Sequence, residues 1–591
     1  MEQLLNRTQT VLLGFDASHP GEASLKEISN LVSSFQASAT SNESGEGLPT
    51  SISNLPREIL LRIAELIKVP QDLGVDTNER EEEEDGDSGE LFAYETGCAL
   101  RKQLLIIIST TKGLSRSRQE RSASFKTSAT ALLRLSVPLV QLTPPSASDT
   151  PERTILASEA SLLIAFSKFL QPDFSTLFST TESKELASHF VSLLLASSAS
   201  SKRLPLLTHL LRNSLPIHFK PNPKLNPSTG RVLNRPLGGP RSTDDWNEES
   251  DRDGGWKREV GLSGTVLTII QNLKAEELED LWPWLLPPIL SYLDDFNPHN
   301  KILGLHLLDS LLNSLSNHGS QGSSSLLVRT GVGKVFKQSL AVIFSNLSDP
   351  LSLRLQSLSQ PISLKLLNLL QRPLPPASLS LTASEADRKK RKEASQARFE
   401  ALCQHFQETV LKVWQYKSDH YQFELLQLSD TCGVLPWVGE SYGNEGEGGG
   451  GAEVIRYLGI LIPHLTGIVK GDEKVGVWNE QLIKLRLRVV VVLRGMMRNR
   501  LVQNRVRKNW EDPIVASLAR CWVGLKEDGE VAKMRKGKTG EKELVENFET
   551  ELKELVKTLR EDSASREEES GGRNYWKELR ELDPMFEELV V

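Results

Sequence analysis

Residues 277–316 read ELEDLWPWLLPPILSYLDDFNPHNKILGLHLLDSLLNSLS. Leu281, Leu285, Ile289 and Leu293 recur at the four-residue interval that lines one face of an α-helix. Leu303, Leu307, Leu308, Leu311, Leu312 and Leu315 keep the same period in a second helix. Asp294, Asp295 and Asn297 separate the two. Asn297 suits the N-cap of the second helix, and Pro298 suits its first position, where a missing N–H costs nothing. Pro287 and Pro288 are expected to kink or briefly break the first helix. Each helix of such a pair carries an apolar stripe. Two helices cannot bury both stripes alone, so further pairs must stack against them.

A second pair follows. Val332, Val335, Phe336, Leu340, Ile343 and Leu347 line one face, Asp349 and Pro350 interrupt, and a Leu-rich run extends from Leu351 to Leu370. A unit of about forty residues suits HEAT-type repeats. The expected fold is all-α: a HEAT-like α-solenoid of antiparallel helix pairs with disordered loops. The alternative is an antiparallel helical protein without a repeat.

The flanks carry the same character. Residues 1–215 are read as N-terminal helical repeats, with the apolar run at Ile106–Ile108 assigned to helix because its neighbours are helical. Pro205 is placed in the first turn of a short helix at 203–214. Residues 216–256 form an insertion that contains Pro216, Pro221, Pro223, Pro227, Pro236 and Pro240, with Trp246 and Trp256 embedded in it. Each proline also restricts the residue before it, so no regular helix is expected there. The insertion is either ordered on its neighbours or a surface loop. The central repeats run over 257–372, a linker over 373–395, C-terminal helical repeats over 396–535, and a charged helix with an acidic tail over 536–591. The tail either docks as a helix in a groove or caps the repeats. Segments 38–48, 79–90 and 443–452 are too polar or Gly-rich to build a core.

Composition excludes several classes. The formal net charge is −7 over 591 residues, which does not mark a nucleic-acid binder. Cys98, Cys403, Cys432 and Cys521 are scattered, without a CxxC pair, so neither a zinc site nor a disulfide framework is indicated. The apolar run at Val489–Leu493 lies between Arg488 and Arg494 and falls short of the ~20 residues of a spanning helix. The start of the chain is too polar for a signal peptide. No GxSxG, HExxH or kinase pattern occurs, and the Gly-rich run at 443–452 lacks the Lys-Ser/Thr of a phosphate-binding loop. No catalytic residue, cofactor or metal is assigned. Asp294 and Asp295 lack a third ligand and are read as turn carboxylates near a helix start. His306 is read as a packing residue.

Three charged features remain. The acidic run at 79–90 is read as a solvated loop. The basic cluster Arg388–Lys392 is either a nuclear-import signal or the solvated start of a helix. Arginines between 486 and 507 make the most basic stretch, and with the aromatic residues before them they supply candidate partner-binding residues: Trp414, Tyr421, Arg486 and Arg494. Aromatics and arginine are enriched among interface anchors, although for any one of them packing in the fold competes with that role.

The quoted run also resembles the central signature of the Tel-two-interacting-protein-two family. The matching features are Pro287 or Pro288, the paired Asp294 and Asp295 at the turn, then Lys301 and Gly304 opening the next helix. The upstream segment FKPNPKLNPSTGRVLNRPLGG, with the stretch ending in Trp256 and Lys257, is similar as well. The resemblance covers roughly Phe219 to Leu370 and the flanks only by helical character. It implies a non-catalytic subunit of the TTT cochaperone complex, partnered by Tti-one-like and Tel-two-like HEAT-repeat proteins. With the heat-shock-ninety chaperone system, that complex matures phosphatidylinositol-3-kinase-related kinases such as TOR, ATM and ATR. The location it implies is cytoplasmic and nuclear. A nuclear-transport or other HEAT-repeat adaptor is the alternative, disfavoured by the short, mildly acidic chain.

Overall fold

A computed structural model of the chain describes a few residues between 60 and 67 and most of 118–590. Within 118–590 it omits 142–151, 173–177, 234–254, 372–384, 436–451, 472–477, 571–574 and some shorter gaps. The expectations for 1–36, 38–48, 79–90, Ile106–Ile108, Trp246 and 443–451 lie outside the described residues. The chain divides into two compact units, Met1–Phe336 and Lys337–Val591. That division falls inside the segment read as one block of central repeats, 257–372.

The helices of the first unit are α1 (Arg118–Gln141), α2 (Glu152–Ser167), α3 (Thr181–Ser197), α4 (Ser200–His209), α5 (Leu262–Asn272), α6 (Ala275–Leu293), α7 (Pro298–Asn317) and α8 (Gln321–Thr330); α9 (Val332–Ser345) begins at its end. Neighbours and next-but-one neighbours pack together: α1 on α3, α2 on α3 and α4, α5 on α7, and α6 on α7 and α8. This is how stacked pairs bury a stripe on each side. Among the described residues the only extended pairing is an isolated antiparallel bridge, Leu225 with Val232.

Helix α6 runs unbroken through Pro283, Pro287 and Pro288, so Pro287 and Pro288 do not break it. Its start is fixed by Glu277, whose carboxylate accepts from the Lys274 N–H at 2.8 Å, and Leu281, Leu285, Ile289 and Leu293 are all buried. The burial of that stripe outweighs the backbone donors that proline removes. Pro205 likewise sits inside α4 rather than in its first turn, and a π-helical turn follows at Leu210–Ser214. Helix α8 was not anticipated between the two expected pairs, because its first half is Gly- and Ser-rich. The N-cap of α7 is as read: Asn297 Oδ1 accepts from the His299 N–H at 2.9 Å.

The second unit contains α10 (Ser352–Leu370), α11 (Glu385–Phe406), α12 (Lys412–Lys417), α13 (Tyr421–Gln427), α14 (Ala452–Lys470), α15 (Glu480–Met497), α16 (Arg500–Glu527), α17 (Gly529–Lys536), α18 (Thr539–Ser570), α19 (Tyr575–Leu582) and α20 (Glu587–Val590). Helix α14 packs on α15 and α16, and α15 on α18. One apolar cluster runs from Phe406 through Leu461, Val489 and Trp522 to Phe548 and Leu589. Helix α11 starts at Glu385, inside the 373–395 segment read as linker, and Lys389, Lys390 and Lys392 are exposed on its first turns. The acidic tail folds back on this unit: Phe586, Leu589 and Val590 are buried, and Trp522 Nε1 donates to the Met585 carbonyl at 3.0 Å.

Candidate interaction surface

The turn between α6 and α7 is built around Asp295. Its side chain is buried, the whole residue being 8% exposed. Oδ1 accepts from the Phe296 N–H at 2.8 Å and lies 3.1 Å from Lys257 Nζ. Oδ2 accepts from Asn300 Nδ2 at 2.6 Å. One carboxylate thus ties the turn, the next helix and the returning insertion together. Charge-assisted bonds of this kind are the strong ones. Asp294, by contrast, is exposed, and its carboxylate lies 3.7 Å from Lys224 Nζ. The paired acids therefore have different roles, a distinction their identical chemistry hides in the sequence.

Gly304 explains itself by proximity. A Cβ there would lie 2.7 Å from the Leu293 N and 2.9 Å from the Tyr292 carbonyl carbon. Only glycine lets α7 approach the end of α6 so closely. Lys301 is buried on the same helix, and its N–H donates to the Asn297 carbonyl at 3.1 Å. Pro288 is buried in α6. The second close approach, which sequence reading missed, is at α5. Gly264 lies against the Ser167 carbonyl, and Ser167 and Thr265 share a hydroxyl–hydroxyl bond of 2.8 Å.

The insertion is ordered at both described ends. Phe219 stacks with Trp256 at 6.0 Å between centroids, and Trp256 meets Tyr292 edge-on at 4.6 Å. Burial, chiefly, pushes the Tyr292 hydroxyl well above the usual tyrosine range. Lys257 Nζ lies 5.5 Å from the centre of the Trp256 ring while it also reaches Asp295. Next to Asp295 in the chain, Phe296 is 96% exposed, an aromatic side chain presented by a turn that is itself tightly held. No sequence signal separates Phe296 from the buried aromatics. The contacts of Lys257 and Asn300 with Asp295 are missed for the same reason, since they depend on Asp295 facing inward.

The four candidate partner-binding residues lie in the second unit and have their interactions there. Trp414 is 4% exposed and stacks on His464 at 4.1 Å. Arg486 is also 4% exposed. Its guanidinium sits 4.1 Å above the Trp478 ring, and its Nε donates to the Ile468 carbonyl at 3.2 Å. That carbonyl belongs to the last turn of α14, where a cation is favoured. Both residues serve the fold. Tyr421 is half-buried against the core, and Arg494 is paired with Glu551 of α18 at 3.0 Å. Of the nearby arginines, Arg488 pairs with Asp430 at 3.1 Å.

A surface pocket of about 750 Å³ in this unit is lined by Trp414, Tyr457, His464, Gln404, Lys412 and Arg456. It adjoins a π-helical turn at Gln407–Leu411, a feature frequent at functional sites. Burial lowers His464 to about 4, and the Glu424 carboxylate 3.6 Å from Nε2 does not offset it. Nearby His405 is also lowered to about 4, by burial first and Lys337 second. Both imidazoles are neutral at pH 7. Among the described residues no group of His, Cys, Asp and Glu could hold a metal ion, and no helix is long and apolar enough to cross a membrane. His306 is half-buried in α7.

Layered helices with a rigid, aromatic-tipped turn define an all-helical protein of stacked pairs. Residues 162–442, a little under half of the chain, match the model of the Tti2 family, and the match supports membership of that family. The match contains the α6–α7 turn and both described ends of the insertion. Membership carries the role of a TTT-complex subunit, in a family whose members are non-catalytic. No curated protein and no solved structure matches the chain.

Proposed function

We propose that this protein is a scaffold subunit of a TTT-like cochaperone complex. In that role it binds Tti-one-like and Tel-two-like HEAT-repeat partners. With the heat-shock-ninety system it helps mature phosphatidylinositol-3-kinase-related kinases. The observation that carries the reading is the family match over 162–442. The stacking of helix pairs supports it, because pairs that continue as a HEAT-like solenoid present long surfaces for protein recognition. A scaffold needs rigid, preformed surfaces, and the Asp295-centred turn is one. The complex is expected to act in cytoplasm and nucleus.

The test is capture from cell extract with the tagged chain, followed by quantitative mass spectrometry. A Tti-one-like partner in near-stoichiometric yield is the expected result, and depletion of the chain should lower kinase levels without lowering their transcripts. Recovery of nuclear-transport factors in place of the HEAT-repeat partners would favour the adaptor alternative and reject this reading.

A further inference from the structure

A second surface in the first unit has its own chemistry. The segment from Pro216 to Pro227 and the proline face of α6 enclose a groove of about 210 Å³ lined by Arg212, Phe219, Pro221, Pro283, Trp284 and Pro287, among others. That volume is below the range of pockets that hold a whole small molecule and suits one large side chain. Arg212 lies 4.2 Å above the Trp284 ring.

The groove is preformed. Asn222 Oδ1 accepts from the Lys224 N–H and Asn226 Oδ1 from the Ser228 N–H, each at 2.9 Å. The Val232 N–H donates to the Thr330 carbonyl at 2.9 Å. Gly230, at φ 63°, lies so close to α6 that a Cβ would be 2.8 Å from Trp282 Cδ1. A surface fixed this way loses little conformational freedom on binding.

Two further features narrow the occupant. Pro283, Pro287 and Pro288 have no N–H, so the carbonyls of Glu279, Pro283 and Trp284 lose the helical donor four residues on. A carbonyl without its helical donor can accept from another chain's N–H. Residues 212–233 contain Arg212, Lys220, Lys224 and Arg231 and no Asp or Glu. Arg212, Lys220 and Arg231 are exposed. Among the nearest acids of α6, Glu279 is paired with Arg329 and Asp280 is exposed one turn before Trp284. The rim is therefore cationic on balance.

We propose that this groove binds an acidic peptide segment of a partner protein, anchored by one aromatic side chain. The ring enters between the prolines and Trp284, main-chain N–H groups meet the proline-freed carbonyls, and flanking carboxylates meet Arg212, Lys220 and Arg231. Buried aromatic anchors dominate such contacts, and the charges set selectivity and on-rate.

The test uses the purified full-length chain and fluorescence anisotropy. The probe is a fluorescein-labelled peptide of Asp and Glu residues with one central Trp. Saturable binding is expected. Replacing the peptide Trp by Ala, or introducing Arg212→Glu with Arg231→Glu into the protein, should weaken it about ten-fold or more. The same peptide with Lys for every acid should not bind. Because all three protein cations are exposed, Lys220→Glu serves as a second variant if helicity falls in the double one. Arg488→Glu with Arg505→Glu, in the second unit, should leave binding unchanged. No saturable binding, equal affinity for the Ala peptide, or equal loss from the second-unit variant would each overturn the proposal. The chain is assayed alone, so the outcome is separate from whether it enters the complex.

Discussion

Asp294 and Asp295 are neighbours of identical chemistry, and the structure assigns them unequal weight. Replacing Asp295 by Ala removes the acceptor of the Phe296 N–H and of Asn300 Nδ2 and leaves Lys257 facing an empty site. Hydrogen bonds to a charged group contribute about 1.5–3 kcal/mol each, and groups left unpartnered add to the loss. Lys257 is partly exposed, so its share is screened. The net expectation is about 2–4 kcal/mol. For a unit of this size that is a fall in Tm of about 4–16 °C. Asp294→Ala breaks an exposed pair at 3.7 Å, for which about 0–1 kcal/mol is expected. Thermal unfolding followed by circular dichroism, with urea unfolding to check the slope, measures both. Equal effects of the two substitutions, or a loss under about 0.5 kcal/mol for Asp295→Ala, would refute the assignment of the turn's hub.

Glycine substitutions separate close packing from helix propensity: Gly304→Ala forces a Cβ against the α6 backbone and should destabilise by about 1–3 kcal/mol, while Gly459→Ala, where a Cβ meets nothing within 4 Å, should stabilise by about 0.5–1 kcal/mol; the same unfolding assay distinguishes the signs. Acid should destabilise the second unit through its buried imidazoles. The unfolded chain takes up protons near pH 6.5 but folded His405 and His464 only near 4, so their stability is complete above 6.5 and lost as pH falls toward 4, by at most about 3 kcal/mol for each. His464→Gln should flatten that slope in a pH series of urea titrations, and an unchanged slope would count against the buried neutral histidine.

Much of the helical scaffold could be read from residue spacing alone. The leucine period predicted α6 and α7, and the Asn297–Pro298 pair marked the start of α7, because caps and stripes are local properties. Pro287 and Pro288 do not break α6 for a tertiary reason: the Leu281–Leu293 stripe beside them is buried well enough to carry the helix through. Helix α8 was missed because Gly-Ser-Ser-Ser at 322–325 looks like a loop until Leu326 and Leu327 find their place in the core. The interface candidates show a different limit. Trp and Arg are used both at interfaces and in interiors, and Trp414 and Arg486 took the second course. Phe296 went unnoticed because exposure is decided by the direction of one turn, which Asp295 sets.

The central claim is that the chain is a scaffold subunit, and reconstitution tests it most directly. The full-length protein should be co-expressed with Tti-one-like and Tel-two-like subunits and passed through size-exclusion chromatography with light scattering. The account predicts a single ternary species containing this chain in fixed stoichiometry. Elution of the folded chain alone, with the other two subunits assembled without it, would contradict the account.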